Sequence, residues 1–428
     1  MRVFLRRFTR ETRANVAAIT ALAAIPMFFL TGMGIDYSMA VDRKTLLDGY
    51  ADAAALAAVT PNMIAQGAAA EITAARNTFN AQAQALSDVS YNAANLTVTL
   101  ATAGSTQTAT VSYVANYQTM FSHILGANTI ALQGSSSATA GLAPNIDFYL
   151  LLDDSPSMAI AATQAGINTM VAHTASQGGC AFGCHETHPA SDNLGNPNGE
   201  DNYTLARNLG VTLRMDLLRQ AAQDLMVTAQ TTETTNSAIY RMAIYTFDAA
   251  FNTIQSLTSN LATAQTSAGN INLLTVYANN WLTSNNNNSD TDTNYDNAMT
   301  RANSAMPNPG SGTNTAGDTP QEVLFFVTDG VEDEKVGGNR QQSLMDPTWC
   351  TTIKNRGIRI AVLYTAYLPL PTNAWYNTWI SPFQPNIAST MQGCASPGLF
   401  FQVNTGGDIS AAMTALFQLA IHTAYLSR

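Results

Sequence analysis

Residues 146–158 have the sequence IDFYLLLDDSPSM, a run that is apolar except for Asp147 and is followed at once by acids and hydroxyls. A continuous apolar run of this kind is typical of a β-strand buried on both faces of a sheet. Directly after it, Asp153, Ser155 and Ser157 form the pattern D-x-S-x-S. The stretch therefore predicts a covered, mostly parallel sheet with a polar site at the end of one strand.

Strand-like and helix-like segments alternate through the rest of the C-terminal half. The patterns predict strands over residues 146–152, 240–247, 323–327, 358–364 and 399–403. They predict helices over residues 206–230, 294–306, 349–356 and 409–426. Strands separated by helices form βαβ units, which build a parallel sheet with helices on both faces. We therefore expect an α/β, doubly wound domain over residues 143–428.

Two further polar groups belong to the same predicted edge. The strand over 323–327 is followed by Thr328, Asp329 and Gly330, and a loop threonine, Thr293, precedes a helix. Such sheets bind ligands at the carboxyl ends of their strands, so these groups are expected to converge. Oxygen donors without His or Cys favour Mg²⁺, with Ca²⁺ and Mn²⁺ as alternatives, over zinc. The predicted metal ligands are Asp153, Ser155, Ser157, Thr293 and Asp329.

The combination of D-x-S-x-S, TNYD (293–296) and FVTDG (326–330) resembles the von Willebrand factor A domain and its metal-ion-dependent adhesion site. The resemblance implies that these five residues surround a metal ion, with an open position for a partner's carboxylate. Pro156 stands where the family has glycine, and Asp154 adds a charge. Residues 289–292 replace a Gly-Gly step, which makes Thr291 a rival to Thr293. The alternatives are serines that cap a helix with an Asp329 turn, or a site that is not used.

The N-terminus has the features of an export segment. Ala14 to Ile35 carries no charge, and at about 1.5 Å per residue it is long enough to cross a bilayer. The arginines before it place the N-terminus in the cytoplasm. We expect a single transmembrane anchor in residues 1–35, with everything after Asp36 exported. The alternative is a cleaved signal peptide with residues 16–30 as its apolar centre.

Residues 36–142 are expected to form a juxtamembrane helix followed by a small α+β segment. The Ala-rich stretch to Ala58 continues the helix, and helical character resumes over 64–86. Strands are predicted over 96–100, 108–114 and 129–132, and the Gly/Ser/Ala-rich residues 134–141 are predicted to be a linker.

The stretch GIDYSMAVDRKTLLDGYADAAALAAV, residues 34–59, resembles the N-terminal segment of TadG-like (TadE/TadG-like) proteins of tight-adherence (Flp/Tad) pilus systems. Asp36, Asp52 and the run 53–58 match the family pattern. The alternative is an ordinary Ala-rich juxtamembrane helix. The resemblance implies a pilus-assembly component in the bacterial inner membrane, with its C-terminal domain in the periplasm or exposed at the surface.

The composition excludes a general nucleic-acid-binding protein. The 428 residues include 19 Lys plus Arg and 29 Asp plus Glu, a formal net charge of −10. A nucleic-acid-binding protein needs basic surface to neutralise phosphates. Neither a P-loop nor a G-x-S-x-G elbow occurs, so we expect a binding protein and not an enzyme.

Four cysteines lie in the exported part, where oxidation is expected. We expect the pairs Cys180–Cys184 and Cys350–Cys394, although four cysteines allow three pairings. The first pair has two rival interpretations, a zinc site with His173, His185 or His188 and a variant haem attachment.

The sequence thus predicts a membrane-anchored, extracytoplasmic component of Tad/Flp pilus assembly. By this hypothesis its von Willebrand A domain binds a protein partner of the pilus machinery or envelope through Mg²⁺. Two alternatives remain: a surface adhesin that contacts host or matrix, and an extracytoplasmic hydrolase.

Overall fold

The computed structural model describes residues 12–426 except 193, 197, 198, 280, 285–290, 314, 368, 371–373, 405 and 406. The chain divides into two compact units, Met1–Gly141 and Leu142–Arg428. Each unit has its own hydrophobic core.

The first unit begins with one long helix, α1 (Thr12–Ala58), so the predicted continuation of the apolar span into a juxtamembrane helix is confirmed. Among the described residues, this helix is the one long and apolar enough to cross a membrane. Its later part buries a stripe at helical spacing that includes Ala40, Leu47, Ala51 and Ala58. Two shorter helices follow, α2 (Pro61–Gln66) and α3 (Ala68–Ala83).

An antiparallel sheet completes this unit. Its strands are β1 (Val89–Tyr91), β2 (Thr97–Ala103), β3 (Thr106–Gln118) and β4 (Thr129–Gly141). β3 is central: it pairs with β1 and β2, and along its whole length with β4.

The predicted linker over residues 134–141 is wrong, because these residues form the second half of β4. Three hydroxyl pairs hold this half of the strand to β3, between side chains that face each other across the two strands. The pairs are Thr108–Thr139 (2.9 Å), Thr110–Ser137 (2.8 Å) and Ser112–Ser135 (2.9 Å). Small polar residues that are common in linkers serve here as cross-strand partners.

The second unit is built on a six-stranded sheet in the order β14-β13-β10-β5-β7-β8. The strands are β5 (Ile146–Asp153), β7 (Tyr240–Phe247), β8 (Phe251–Thr258), β10 (Gln321–Thr328), β13 (Arg359–Thr365) and β14 (Phe400–Val403). All neighbours are parallel except β7 and β8. In chain order of these strands the sheet is 3-2-1-4-5-6, so the predicted doubly wound α/β fold is confirmed.

Helices cover both faces of this sheet. One face packs against α6 (Arg214–Asn236), α7 (Leu261–Ala268) and α12 (Ile409–Leu426). The other packs against α8 (Tyr295–Ala305), α9 (Thr348–Asn355) and α11 (Gln384–Cys394). The remaining elements are α4 (Gln164–His173), β6 (His185–Glu186), α5 (Asn202–Asn208), β9 (Thr275–Val276), β11 (Val331–Val336), β12 (Asn339–Leu344) and α10 (Ala374–Trp379).

Several predicted elements of this unit need correction. The helix expected over 206–230 is two helices, because α5 ends at Asn208 and Gly210 adopts a positive φ of 67° before α6 begins. The loop expected over 166–203 contains most of α4. Strand β8, helix α11 and the β11–β12 hairpin were not predicted, since their polar sequences lack a clear apolar period.

One of the two expected disulfides is present. Cys350 and Cys394 are bonded, which confirms that pair and joins α9 to the end of α11. The Cys180–Cys184 pair is wrong, because both residues are thiols. Each is held instead through its backbone: the Cys180 carbonyl accepts a hydrogen bond from Thr174, and the Cys184 carbonyl accepts one from the Tyr203 amide. The described residues include no group of three or more His, Cys, Asp or Glu placed to hold a metal.

Acids and an arginine lie side by side where the central strands begin. Asp147 of β5 is in register with Glu322 of β10 and with Arg241 of β7. Arg241 Nε donates to Asp147 Oδ1 at 2.6 Å. The Glu322 side chain beside this pair is fully buried. Burial, followed by the charge of Asp147, raises the pKa of Glu322 from 4.5 to about 8.

Glu322→Gln is expected to flatten the pH dependence of stability between pH 4.5 and pH 8. In this window the folded protein holds the Glu322 proton and the unfolded chain has lost it, so stability falls as pH rises. At pH 8 the substitution should remove a penalty on the order of 4 kcal/mol. Urea unfolding followed by tryptophan fluorescence measures this, because all four tryptophans lie in the second unit.

The control for this experiment is Glu200→Gln, on a surface loop, which should leave the slope unchanged. An unaltered slope in Glu322→Gln would contradict the prediction.

Candidate metal site

The loop after β5 folds its hydroxyls back onto the last residue of the strand. The Ser155 amide and Oγ donate to Asp153 Oδ1 at 3.1 and 2.6 Å, and Ser155 Oγ lies 2.9 Å from Ser157 Oγ. Asp153 and Ser155 are fully buried, and Ser157 is half-buried at the start of a short 3₁₀ helix, Pro156–Ala159. Three of the five predicted residues are therefore linked by hydrogen bonds.

A second hydroxyl chain ties this carboxylate to β10 and α8. Thr328 Oγ1 donates to Asp153 Oδ2 at 2.6 Å and lies 2.5 Å from the Tyr295 hydroxyl. It also accepts a hydrogen bond from the Gly330 amide at 3.0 Å. Sequence reasoning did not assign a role to Thr328 or Tyr295. The sequence feature that points to them is their position, since Thr328 is adjacent to Asp329 and Tyr295 is two residues after Thr293.

Asp329 lies at the end of β10, the neighbour of β5 in the sheet. The turn after it depends on Gly330, which has a φ of 78° and whose added Cβ would clash with the Ile387 side chain. Asp329 Oδ1 accepts a 3.3 Å hydrogen bond from the Val331 amide. Oδ2 is fully buried and has no hydrogen-bond partner among the described residues; Arg214 Nη1 lies 4.0 Å from it.

The electrostatics of the cluster follow from two buried carboxylates on neighbouring strands. Burial, and then the charge of Asp329, raises the pKa of Asp153 to about 7. Burial also raises the pKa of Asp329, against the opposing effects of Arg214 and the Ser157 hydroxyl. A nearby positive charge would favour the ionised forms of both groups.

Thr293 lies on the loop that leads into α8 and is held by its backbone. It forms a β-bridge with Asp333, and the next residue, Asn294, donates its amide to the Asp248 carbonyl at 2.9 Å. Thr293 is buried, but in the part of the chain that is described no hydrogen bond joins its hydroxyl to the other four predicted residues. The rival Thr291 is half-buried, and residues 289 and 290 fall outside the described residues.

Asp154, the extra acid of the motif, belongs to a different neighbourhood. Its backbone pairs with Phe247 and Leu274, and its side chain lies near Asp248. Burial, and then the charge of Asp248, raises the pKa of Asp154 well above its usual range.

The donor set fits a hard divalent cation. It consists of two carboxylates and at least two hydroxyls, and in the part of the chain that the structure describes one carboxylate oxygen, Asp329 Oδ2, has no hydrogen-bond partner. A small number of carboxylates with water filling the remaining positions is typical of Mg²⁺ sites.

A family comparison identifies the N-terminal part of the chain. Residues 15–74 match the family model described as "Putative Flp pilus-assembly TadE/G-like". The chain carries a TadE/G-like segment. This segment contains most of α1, and together with that helix it fits a protein that crosses a membrane once. No curated protein matches the chain.

Several solved structures overlap with the chain. BatB from Bacteroides thetaiotaomicron is 12% identical over 65% of this chain and 100% of its own, with a TM-score of 0.34. The vWF domain of the type V pili tip protein Mfa5 from Porphyromonas gingivalis is 9% identical over 66% and 97%, with a TM-score of 0.35. The PilB minor pilin from Streptococcus sanguinis is 10% identical over 78% and 80%, with a TM-score of 0.36. Because these TM-scores are low, the fold is assigned from the strand order alone.

Arg214→Met is expected to lower the free energy of unfolding of the second unit by about 3 kcal/mol in EDTA. The substitution removes the buried positive charge next to Asp329 and leaves two buried carboxylates facing each other. Urea unfolding of the full chain in detergent at pH 8, followed by tryptophan fluorescence, measures the change.

Arg301→Met, at an exposed position of α8, is the matched control and should change the midpoint little. Equal effects of the two substitutions would show that Arg214 does not balance the carboxylates.

Proposed function

We propose that this protein is a membrane-anchored, extracytoplasmic component of Tad/Flp pilus assembly whose von Willebrand A domain binds a protein partner through Mg²⁺. The observation that carries the proposal is the presence, in one chain, of a TadE/G-like segment and a two-carboxylate, hydroxyl-rich site. The segment supports the pilus role and the anchor. The site supports the mode of binding.

The proposed site holds the cation through Asp153, Ser155, Ser157, Thr293 and Asp329. Ser155 and Ser157 present adjacent hydroxyls, and Asp329 supplies Oδ2, which accepts no hydrogen bond from the described residues. Mg²⁺ prefers six oxygen ligands, so a carboxylate of the partner completes its coordination in place of water. Ca²⁺ and Mn²⁺ are alternatives with the same oxygen preference.

Binding is favoured over catalysis by the hydrogen bonds around Asp153. Both of its oxygens accept from hydroxyls, one from Ser155 and the other from Thr328, which orients this carboxylate as a metal ligand. Asp329 is the other carboxylate of the predicted ligand set, so no acid of that set is left to take a proton from water. A metal-dependent hydrolase needs a base in that position.

The proposed location is the inner membrane, with the C-terminal domain in the periplasm. The charge-free stretch over residues 14–35 supports the anchor, and its arginine flank supports a cytoplasmic N-terminus. The Cys350–Cys394 disulfide supports an oxidising compartment for the second unit.

Mg²⁺ is expected to raise the unfolding temperature of the full chain in detergent relative to EDTA. A ligand that binds only the folded state stabilises it by about 2.7 kcal/mol at 100 times its Kd. Asp153→Ala and Asp329→Asn should each abolish the increase without preventing folding, because each removes a predicted ligand. Tryptophan fluorescence during a thermal scan measures the effect on the second unit.

Asp42→Asn, an exposed acid on α1, is the control and should respond to Mg²⁺ as the unmodified chain does. If Mg²⁺ and EDTA give the same unfolding temperature for the unmodified chain, the metal proposal is wrong.

A further inference from the structure

The carboxylate that follows the apolar span has a structural role inside the first unit. Asp36 is fully buried, and its oxygens accept hydrogen bonds from the loop between β3 and β4. The amides of Met120, Phe121 and Ser122 donate at 2.8, 3.0 and 2.6 Å, and Ser122 Oγ donates at 2.7 Å. Three consecutive amides that surround one carboxylate hold this loop firmly against α1.

The same loop also packs against the span itself. A Cβ added to Gly32 would lie 2.7 Å from Phe121 Cβ and 2.9 Å from its Cγ, so the Phe121 side chain is in direct contact with the helix there. Gly32 is one turn before Asp36 and belongs to the charge-free stretch that ends at Ile35. The loop therefore lies at the level where the apolar span ends.

At this level the loop presents apolar side chains outward. Met120, Ile124 and Leu125 are between 55% and 65% exposed, and residues 119–128 contain no Asp, Glu, Lys or Arg. On α1, Met33 and Ile35 are also exposed at the same level. Scattered exposed apolar residues are ordinary, but this patch is continuous with the span.

We propose that the Met120–Leu125 loop inserts into the outer interfacial region of the lipid bilayer and forms a second membrane contact beside the transmembrane helix. The inference rests on the proposed anchoring through residues 14–35. Apolar side chains without neighbouring charges partition favourably into the boundary between headgroups and acyl chains. A lone helix can rotate and tilt in the bilayer, whereas a loop hydrogen-bonded to it on one side sets the orientation of the first unit.

Tryptophan quenching by brominated lipid tests the insertion directly. The full chain is reconstituted in phosphatidylcholine vesicles with or without dibrominated acyl chains, carrying one added tryptophan at Ile124→Trp, Leu22→Trp or Leu56→Trp. The three positions are 63%, 72% and 62% exposed, so each accepts the larger ring. Leu22 is ~15 Å deeper in the span than Gly32, and Leu56 is ~30 Å beyond Asp36 along α1. The unmodified chain gives the background of the native tryptophans.

The expected result is quenching of the added signal at Ile124→Trp and Leu22→Trp by at least threefold more than at Leu56→Trp. Quenching at Leu22→Trp with Ile124→Trp no different from Leu56→Trp would overturn the loop contact and leave the anchor intact. Absence of quenching at both positions would overturn the anchor as well. A blue-shifted but unquenched Ile124→Trp would show that protein covers the loop, and would also overturn the proposal.

Discussion

The burial of two carboxylates on adjacent strand ends is the constraint on which the second unit's site depends. Asp153 and Asp329 are both fully buried, and each raises the cost of ionising the other. Transfer of an uncompensated charge out of water costs several kcal/mol, so such a pair needs protons, hydrogen bonds or a cation. Asp153 accepts three hydrogen bonds, from the Ser155 amide and from the Ser155 and Thr328 hydroxyls. Among the described residues Asp329 Oδ2 has no hydrogen-bond partner, and the Arg214 guanidinium lies 4.0 Å away. A hard cation bound at this site would compensate the negative charge of Asp329, which has fewer hydrogen-bond donors than Asp153.

The first unit also contains a buried carboxylate, but one whose hydrogen-bonding capacity is filled. Asp36 is also fully buried, but it accepts four hydrogen bonds from one loop. Its partners are sufficient for a charged carboxylate, so Asp36 serves to connect helix and loop. Asp329 Oδ1 accepts a hydrogen bond from the Val331 amide, and its Oδ2 has no partner within the described ranges. The number of hydrogen-bond donors thus distinguishes Asp36, a structural carboxylate, from Asp329, a candidate metal ligand.

The sequence predicted the features that depend on local apolar pattern. IDFYLLL and VLFFV form central strands, and their apolar residues are buried because helices cover both faces of the sheet. The Cys350–Cys394 disulfide joins two buried residues. The second half of β4 was missed, since its Ser, Thr and Gly residues make a strand only through hydroxyl pairs with β3. Four of the five predicted site residues meet at neighbouring strand ends, and Thr293 is positioned by its backbone. Arg214 could not be assigned to the site, because it reaches Asp329 from a helix distant in sequence.

The most direct measurement is anomalous X-ray diffraction from crystals of the full chain grown with Mn²⁺, at the manganese absorption edge. Mn²⁺ replaces Mg²⁺ among oxygen ligands and can be located by its own signal. The account predicts one strong peak within about 2.0–2.4 Å of oxygens from the D-x-S-x-S loop and Asp329. A manganese peak at another place in the protein would contradict the account. So would the absence of a peak at this strand edge in crystals in which Arg214 lies next to Asp329.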